Sequence, residues 1–363
     1  GIRDRSPSRG LGDVYKRQAC CWILLSLNLY AQHKRIDLVL ATPNKEIFGP
    51  DGSKFYMYTD RTFEGKPSKP WEGGKYGYVR NPKRTSSGIL YSKFHEGIDI
   101  KPISRDSRGV PLDKIRSISH GKVVHTSRSA GASNYGRYVV IEHDWGYGKF
   151  YSLYAHLADI SSTNGQIVRS GTSIGTLGYT GDGINKTRAH LHLELNLMIS
   201  KKFGSWYRKH YVSPNKHGLY NGINLAGIDI ANLYKAYRRN PLISLPEFIA
   251  KTETYWKILV PNKGIPLIMK SYPWLASRLS EAVNNPSWEI SMSPSGIPLK
   301  IEPNDKKVNS PIISWVKYSA TPHSWNTRSR LTGTKNTAKL TSSGQRFVQL
   351  LFCLLYTSDA ADE

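Results

Sequence analysis

Apolar and polar side chains alternate without a break over residues 189–197. The odd-numbered positions are apolar, whereas the even-numbered positions are His190, His192, Glu194 and Asn196. A period of two predicts a half-buried β-strand, because successive side chains of a strand point to opposite faces. We therefore expect the leucines in a core and both histidines with the glutamate on the other face. Two histidines on one strand face can chelate a metal ion, but a solvated face that happens to contain histidine fits the pattern equally well.

Further strand-like runs precede this segment at short intervals. They cover residues 115–126, with a break at Gly121, and residues 138–143 and 150–155, with Gly and Asn or Asp between them. Short strands at this spacing predict an antiparallel β domain. Residues 43–90 are rich in Pro, Gly, Lys and aromatic side chains, which favours loops with short strands.

The carboxy-terminal half has a mixed pattern. Apolar residues at helical spacing predict helices over residues 224–239 and 272–283. Residues 288–301 have the pattern of a hairpin that turns at Ser293-Pro294-Ser295-Gly296. A mixed α/β structure is therefore predicted for residues 201–352.

Both ends of the chain resemble translations of a transposon-type sequencing adaptor, read in its two orientations. We assign residues 1–18 and 353–363 to this artefact, and we expect the natural chain to be truncated at one end or both. Residues 19–31 are mostly apolar but too few to span a bilayer. They fit the remnant of a secretory signal peptide with cleavage at Gln32, and a buried amino-terminal strand or helix is the alternative. No later stretch is long and apolar enough for a membrane span.

The chain is strongly basic, with a formal net charge of +24. Residues 201–352 contain 22 Lys/Arg against 7 Asp/Glu. Such a surface favours a polyanionic partner, which can be nucleic acid, anionic lipid or bacterial cell wall. The chain has three cysteines, and Cys353 lies in the excluded tail. A disulfide framework and a cysteine-based zinc site are therefore excluded, and any metal ion must be bound by His and Asp or Glu.

A second pair of possible ligands is His95 and Asp99, which stand four apart around Gly97. In an extended strand these positions share a face but lie about 13 Å apart, too far to bind one ion. The chain must therefore turn at the glycine if both residues are ligands. Taken alone, this pair is more typical of a surface turn. His156 follows the run 150–155 directly.

Taken together, these segments resemble the lysostaphin-type, or LytM-like, zinc metallopeptidases, a family of peptidoglycan endopeptidases. The resemblance covers roughly residues 90–197 and depends on several motifs in the same order. These motifs are Phe94-His-Glu-Gly-Ile-Asp-Ile100, Gly121-Lys-Val-Val124, Tyr138-Val-Val-Ile141, Tyr154-Ala-His-Leu157, Gly165 with Gly171 and Gly175, Gly178-Tyr-Thr-Gly181, and His190-Leu-His-Leu-Glu194.

The resemblance implies roles for five residues. The zinc ligands would be His95, Asp99 and His192, and the catalytic histidines would be His156 and His190. Three protein ligands leave a fourth position for water, as in catalytic rather than structural zinc sites, and zinc lowers the pKa of that water to about 7. The base and oxyanion-stabilising roles are assigned to the two catalytic histidines jointly.

Three further expectations concern the surroundings of this site. Glu194 either orients a ligand histidine or faces solvent, and the pattern does not choose between these alternatives. The loops that follow Asp99 and Gly181 are longer than in compact family members, so we expect both to border the cleft. His125 and His143 lie in predicted strands, where satisfied structural histidines are expected.

The predicted fold class is mainly β. An antiparallel β-sheet peptidase domain over residues 91–200 follows a loop-rich segment, 32–90, and precedes the basic mixed α/β extension, 201–352. This extension is either a wall-binding module or a solvated, partly flexible segment that packs on the catalytic domain.

We expect a secreted or cell-envelope zinc metalloendopeptidase that hydrolyses peptide bonds in peptidoglycan stems or cross-bridges. One alternative is a non-catalytic cell-wall-binding regulator of other murein hydrolases, but the five site positions are intact. Nucleic-acid binding would explain the charge and would leave the histidines unexplained, so we expect no nucleic-acid partner.

Overall fold

The computed structural model describes residues 35–86, 88–277 and 285–352. The strands are β1 (Arg61–Phe63), β2 (Lys66–Ser68), β3 (Val79–Thr85), β4 (Gly88–Phe94), β5 (Ile98–Ile100), β6 (Lys114–Arg116), β7 (Gly121–Ser127), β8 (Tyr138–Asp144), β9 (Lys149–Ala155), β10 (Leu157–Ile160), β11 (Ile167–Val168), β12 (Ser173–Leu177), β13 (Leu191–Met198), β14 (Leu225–Ile228), β15 (Trp256–Pro261), β16 (Ser287–Met292), β17 (Pro298–Asn304), β18 (Ile312–Val316), β19 (Leu331–Thr332) and β20 (Lys339–Leu340). The α-helices are α1 (Phe203–His210), α2 (Ile230–Arg239), α3 (Leu245–Ala250), α4 (Leu267–Ser271) and α5 (Ser342–Phe352). Single 3₁₀ turns lie at Glu46–Phe48, Gly52–Lys54, Trp71–Gly74, Gly218–Tyr220, Pro273–Leu275 and His323–Trp325.

The adaptor segments, 1–18 and 353–363, and the signal-peptide segment, 19–31, lie outside the described residues. None of the helices in the described part of the chain is long and apolar enough to cross a membrane.

Antiparallel pairing builds the sheet that carries the candidate site. The strand order is β11-β7-β8-β9-β13-β14, and β5 also pairs with β13. A second, three-stranded sheet has the order β10-β12-β6. The mainly β, antiparallel fold predicted for this region is therefore confirmed.

β13 lies inside the large sheet and is buried on both faces, so the expectation of a half-buried strand is wrong. Its leucines enter the main apolar core as expected. The opposite sheet face also has an apolar cluster, in which Tyr138, Tyr151 and Leu153 pack with Leu219 and Tyr220. Leu219 and Tyr220 follow α1 in the chain. The carboxy-terminal region therefore covers the sheet face that the alternating pattern predicted to be in solvent.

The carboxy-terminal region packs firmly on this sheet domain. Its own sheet has the order β17-β16-β15-β18, and its buried side chains join those of the amino-terminal domain in one apolar core. Tyr272 connects the two parts, because its hydroxyl donates to the Lys149 carbonyl at 2.6 Å and accepts from the Met198 N–H at 2.9 Å. The Trp274 indole donates to the Tyr147 carbonyl at 2.8 Å.

Two helix predictions in this region are partly wrong. Within residues 224–239 the chain first forms β14, because this short apolar run pairs with the end of β13. Only then does α2 begin, with Asp229 as its N-cap. Of residues 272–283, those described form a 3₁₀ turn that starts at Pro273, and residues 278–284 lie outside the described chain. The hairpin over 288–301 is confirmed by the pairing of β16 with β17.

Candidate metal centre

Three side chains bring ligand atoms together at the centre of the main sheet. His95 Nε2 lies 3.1 Å from Asp99 Oδ1, and His192 Nδ1 lies 2.9 Å from the same oxygen. The two imidazole nitrogens are 3.2 Å apart. All three residues are buried, and they form a group that could hold a metal ion.

Hydrogen bonds on the far side of each ring decide which nitrogen is free to bind a metal. His95 Nδ1 donates to the Lys75 carbonyl at 2.8 Å, so its Nε2 keeps a lone pair. His192 Nε2 bonds Glu194 Oε1 at 2.8 Å, and Nδ1 bonds Asp99 Oδ1 at 2.9 Å. Against the effect of burial, Asp99 and Glu194 raise the pKa of His192 to about 9, so a metal ion would take the place of the Nδ1 proton. Two imidazole nitrogens and a carboxylate oxygen therefore face one another. Ligand atoms about 2.0–2.2 Å from a tetrahedral zinc ion lie about 3.3–3.6 Å apart. The donor set therefore fits the ion in type, and its edges of 2.9–3.2 Å would lengthen by a few tenths of an ångström when the ion binds.

Strand register and one glycine produce this arrangement. Asp99 in β5 is the direct pairing partner of His192 in β13. The chain bends at Gly97, which brings His95 back to the aspartate, as the spacing of the two residues required. A Cβ atom at Gly97 would lie 2.4 Å from the Leu193 carbonyl oxygen, so only glycine allows the bend to approach β13 this closely.

Arg80 holds the second oxygen of Asp99. Its guanidinium is ion-paired with Asp99 Oδ2 and also donates to the Gly73 carbonyl at 2.9 and 3.0 Å. Burial alone would raise the pKa of Asp99, but Arg80 and the neighbouring histidines hold it well below its usual range. The aspartate is therefore ionised, and Oδ1 remains available to a cation.

Glu194 is 1% exposed, so the solvent-facing alternative is wrong. Besides the bond from His192, its carboxylate accepts hydrogen bonds from the Tyr135 hydroxyl and from the Asn196 amide, each at 2.9 Å. Burial would raise the pKa of Glu194, but these donors, His192 first, lower it. A buried, ionised carboxylate fixes the ring orientation and the tautomer of His192.

His156 and His190 lie beside the three possible ligands. His156 directly follows β9 with a φ of 64°, a left-handed conformation that is uncommon outside glycine and is found at functional sites. Its Nδ1 donates to the Thr180 carbonyl at 2.9 Å, and His190 Nδ1 donates to the Arg188 carbonyl at 2.6 Å. Each ring therefore keeps a lone pair on Nε2.

Both of these histidines are neutral proton acceptors near pH 7. Burial lowers the pKa of His190 to about 4, against the opposing effect of Asp99. Burial, followed by the neighbouring histidines, lowers the pKa of His156 well below its usual range. The two ring centroids are 4.7 Å apart, so one reacting group could contact both rings.

The site opens into a cavity of about 430 Å³, which all four histidines line. Loop 181–189 contributes Asp182, Ile184 and Arg188 to its wall, as expected. None of residues 101–113 lines it, so the expectation for that loop is wrong. Instead, loop 101–113 supports loop 181–189, because Lys186 Nζ donates to the Arg108 carbonyl at 2.7 Å.

Four residues at this site are not predicted by the sequence. Arg80 and Tyr135 lie in segments without a metal-binding pattern, and their roles depend on contacts with distant strands. Trp325 and Arg328 come from the carboxy-terminal region but line the cavity together with the histidines. Basic composition was the only sequence signal at Arg328, and it did not distinguish this residue from other arginines.

Of the two histidines that were predicted to be satisfied structural residues, only one is. His143 is a satisfied structural residue as predicted, with bonds of 2.8 Å to the His120 carbonyl and 2.7 Å to the Ser152 hydroxyl. His125 is not satisfied, because its buried Nε2 has no partner among the described residues. His33 lies outside the described chain.

One protein family matches the part of the chain that contains this site. Residues 93–203 match the family described as Peptidase family M23. No curated protein matches the chain.

Several solved structures are similar to part of the chain. A variant of the catalytic domain of the prophage-encoded M23 protein EnpA from Enterococcus faecalis is 26% identical, over 29% of this chain and 70% of that one, with a TM-score of 0.23. A zinc-containing peptidase from Vibrio cholerae is 24% identical over 39% and 36%, with a TM-score of 0.25. The catalytic domain of lysostaphin from Staphylococcus simulans is 22% identical over 38% and 79%, also with a TM-score of 0.25.

The matched family segment contains Asp99 and four of the site histidines, and it coincides with the motifs of the lysostaphin-type resemblance. Residues 93–203 therefore match peptidase family M23 and resemble its lysostaphin-type members.

Proposed function

We propose that this protein is a secreted zinc metalloendopeptidase that cuts peptide bonds in the stems or cross-bridges of peptidoglycan. The observation that carries the proposal is the triangle of His95 Nε2, Asp99 Oδ1 and His192 Nδ1, with edges of 2.9–3.2 Å, beside two neutral imidazoles. The M23 domain supports peptidase chemistry. The substrate class and the cell-envelope location come from the family resemblance, and the basic charge is compatible with a polyanionic wall.

The three triangle residues would hold the zinc ion, which when bound would polarise a water molecule and the scissile carbonyl group. His156 and His190 would accept and donate the protons of the reaction. The free Nε2 of either ring can accept a proton from the attacking water, because its Nδ1–H is already held by a backbone carbonyl. The imidazolium that forms can then donate to the oxyanion or to the leaving amine.

The far wall of the cleft would contact the substrate through an aromatic pair. Trp325 packs edge-on against Tyr91 with ring centroids 5.5 Å apart, and both rings line the cavity. The buried indole N–H of Trp325 has no acceptor among the described residues. Because this N–H is enclosed, a peptide in the cleft would contact the exposed parts of the two rings.

Trp325→Ala is expected to raise KM about 10-fold and to change kcat little, because the lost contact is equal in the ground state and the transition state. Steady-state kinetics on a soluble peptide substrate would measure this. Trp315→Ala is the matched control, since Trp315 is 46% exposed and lies outside the cleft. Equal KM values for the Trp325→Ala variant and the unmodified protein would remove the substrate-contacting role.

The proposed function is tested by mass spectrometry of muropeptides. Purified sacculi of several types would be incubated with the protein, with its His192→Ala variant, and with a chelator. We expect new cleavage products that are lost in both controls, and their masses would identify the bond. A folded, zinc-loaded protein that yields no products from any sacculus type would overturn the peptidase proposal and favour the wall-binding regulator.

A further inference from the structure

A second, smaller cavity lies behind the cleft and has a strongly basic lining. It measures about 100 Å³ and is lined in part by Trp206, Arg328, Arg330, Ser343 and Arg346. Three arginines therefore line a space that could hold only a few heavy atoms. Within the described part of the chain, no acidic residue contributes to this lining.

Arg330 is the most unusual member of this lining. It is 6% exposed, and its guanidinium donates to the Ser295 carbonyl and lies 3.7 Å from the centroid of the Phe347 ring. Within the described residues it forms no ion pair with a carboxylate. Burial, followed by the charge of Arg328, lowers the pKa of Arg330 well below its usual range. A buried cation without an anion is costly, so the fold leaves a place where a negative charge would be stabilising.

Unpaired donors support the same conclusion. The indole N–H of Trp206 and the Nε–H of Arg346 are both buried and have no acceptor among the described residues. Trp206 is itself 1% exposed. Both groups can only donate hydrogen bonds, as can Arg330. The residues that line the cavity therefore combine excess positive charge with donors that lack an acceptor.

We propose that this cavity, which we call the arginine cavity, binds a small oxyanion of the phosphate type. Such an anion offers several acceptor oxygens to guanidinium groups, which recognise phosphate through paired N–H donors. Its source is either free inorganic phosphate or the end of a phosphate ester. The proposal does not depend on the peptidase reaction.

The arginine cavity is also connected to the cleft. Arg328 lines both spaces, and its guanidinium is 2.5 Å from a carboxylate oxygen of Glu96. Glu96 directly follows His95. A bound anion would therefore help to hold the cleft wall in place beside the metal centre.

The test is thermal unfolding of the full chain with added phosphate, compared with chloride at equal ionic strength. We expect saturating phosphate to raise Tm by about 2 °C or more, because a ligand that binds only the folded state stabilises it. Calorimetric titration should give one site, and Arg346→Gln should weaken its affinity at least 10-fold. Lys209→Gln is the matched control, because it removes the same charge from an exposed position on α1.

Arg330→Gln separates anion binding from a merely structural role. Without phosphate this variant should unfold at the same temperature as the unmodified protein or higher, because a costly buried charge is gone. With phosphate its Tm should no longer rise. A large loss of Tm in both buffers would contradict the proposal.

Two further measurements complete the test, one with a phosphate ester and one with a variant of the metal centre. Glycerol phosphate that binds as tightly as inorganic phosphate would support an ester as the source, and binding of inorganic phosphate alone would support the free ion. A phosphate response that survives Arg346→Gln and disappears in His192→Ala would place the anion at the metal centre and overturn the proposal.

Discussion

Asp99→Asn is expected to weaken zinc binding by more than about 100-fold and to reduce peptide hydrolysis to background. The carboxylate has two functions, since Oδ1 completes the ligand triangle and Oδ2 pairs with Arg80. An amide cannot replace both. If its oxygen faces the histidines, its NH₂ group opposes the Arg80 guanidinium; if it is turned around, NH₂ faces the metal position. In either orientation a donor replaces an acceptor, and the negative charge is lost.

Zinc affinity would be measured by competition with a chromogenic chelator, and activity on the same samples. Glu194→Gln provides a graded comparison, because it changes only the group that orients His192. For that variant a loss of about 10–100-fold is expected. Glu142→Gln, in β8, which β9 separates from β13, should leave zinc affinity unchanged. Stoichiometric zinc at unchanged affinity in Asp99→Asn would mean that this residue is not a ligand.

The three possible metal ligands could be predicted from the sequence because each of them leaves a local signal. Strict alternation over 189–197 predicts a strand that carries His192, and pairing with β5 and β9 sets its position. His190 lies directly before this strand. Gly97 between His95 and Asp99 marked the bend that an extended chain could not provide. Such features depend on a few neighbouring residues, so they can be recognised in the sequence without the tertiary structure.

Other parts of the site depend on contacts between distant segments and could not be predicted in this way. Glu194 has the same position in the alternating pattern whether it faces water or a core. Its burial is decided by Tyr135 and by the carboxy-terminal region. Arg80 lies 14 residues before the first motif residue, Phe94, and Trp325 lies 131 residues after the last, Glu194. No local pattern marks either of them. β14 was mistaken for part of a helix because its short apolar run gains its strand structure only by pairing with β13.

Replacement of either of the two proposed catalytic histidines, His156 and His190, is expected to reduce kcat/KM by about 100- to 10,000-fold, the usual contribution of general acid–base catalysis. Zinc content should stay at the level of the unmodified protein, because neither ring belongs to the ligand triangle. This combination distinguishes His156→Ala and His190→Ala from Asp99→Asn, which loses the metal as well. It also distinguishes a catalytic role from a structural one, since misfolding would disturb the ligands.

The double variant, with both histidines replaced by alanine, shows whether the two rings act as one unit. If they share a single proton-transfer step, the double variant should be little worse than the more damaged single variant, because the effects of groups that act together are not additive. Added imidazole offers a further check, since a small base can enter the space left by a missing ring and restore part of the rate. A variant that keeps both its zinc and full activity would show that the ring it lacks takes no part in proton transfer, and catalysis would then depend on the other histidine alone.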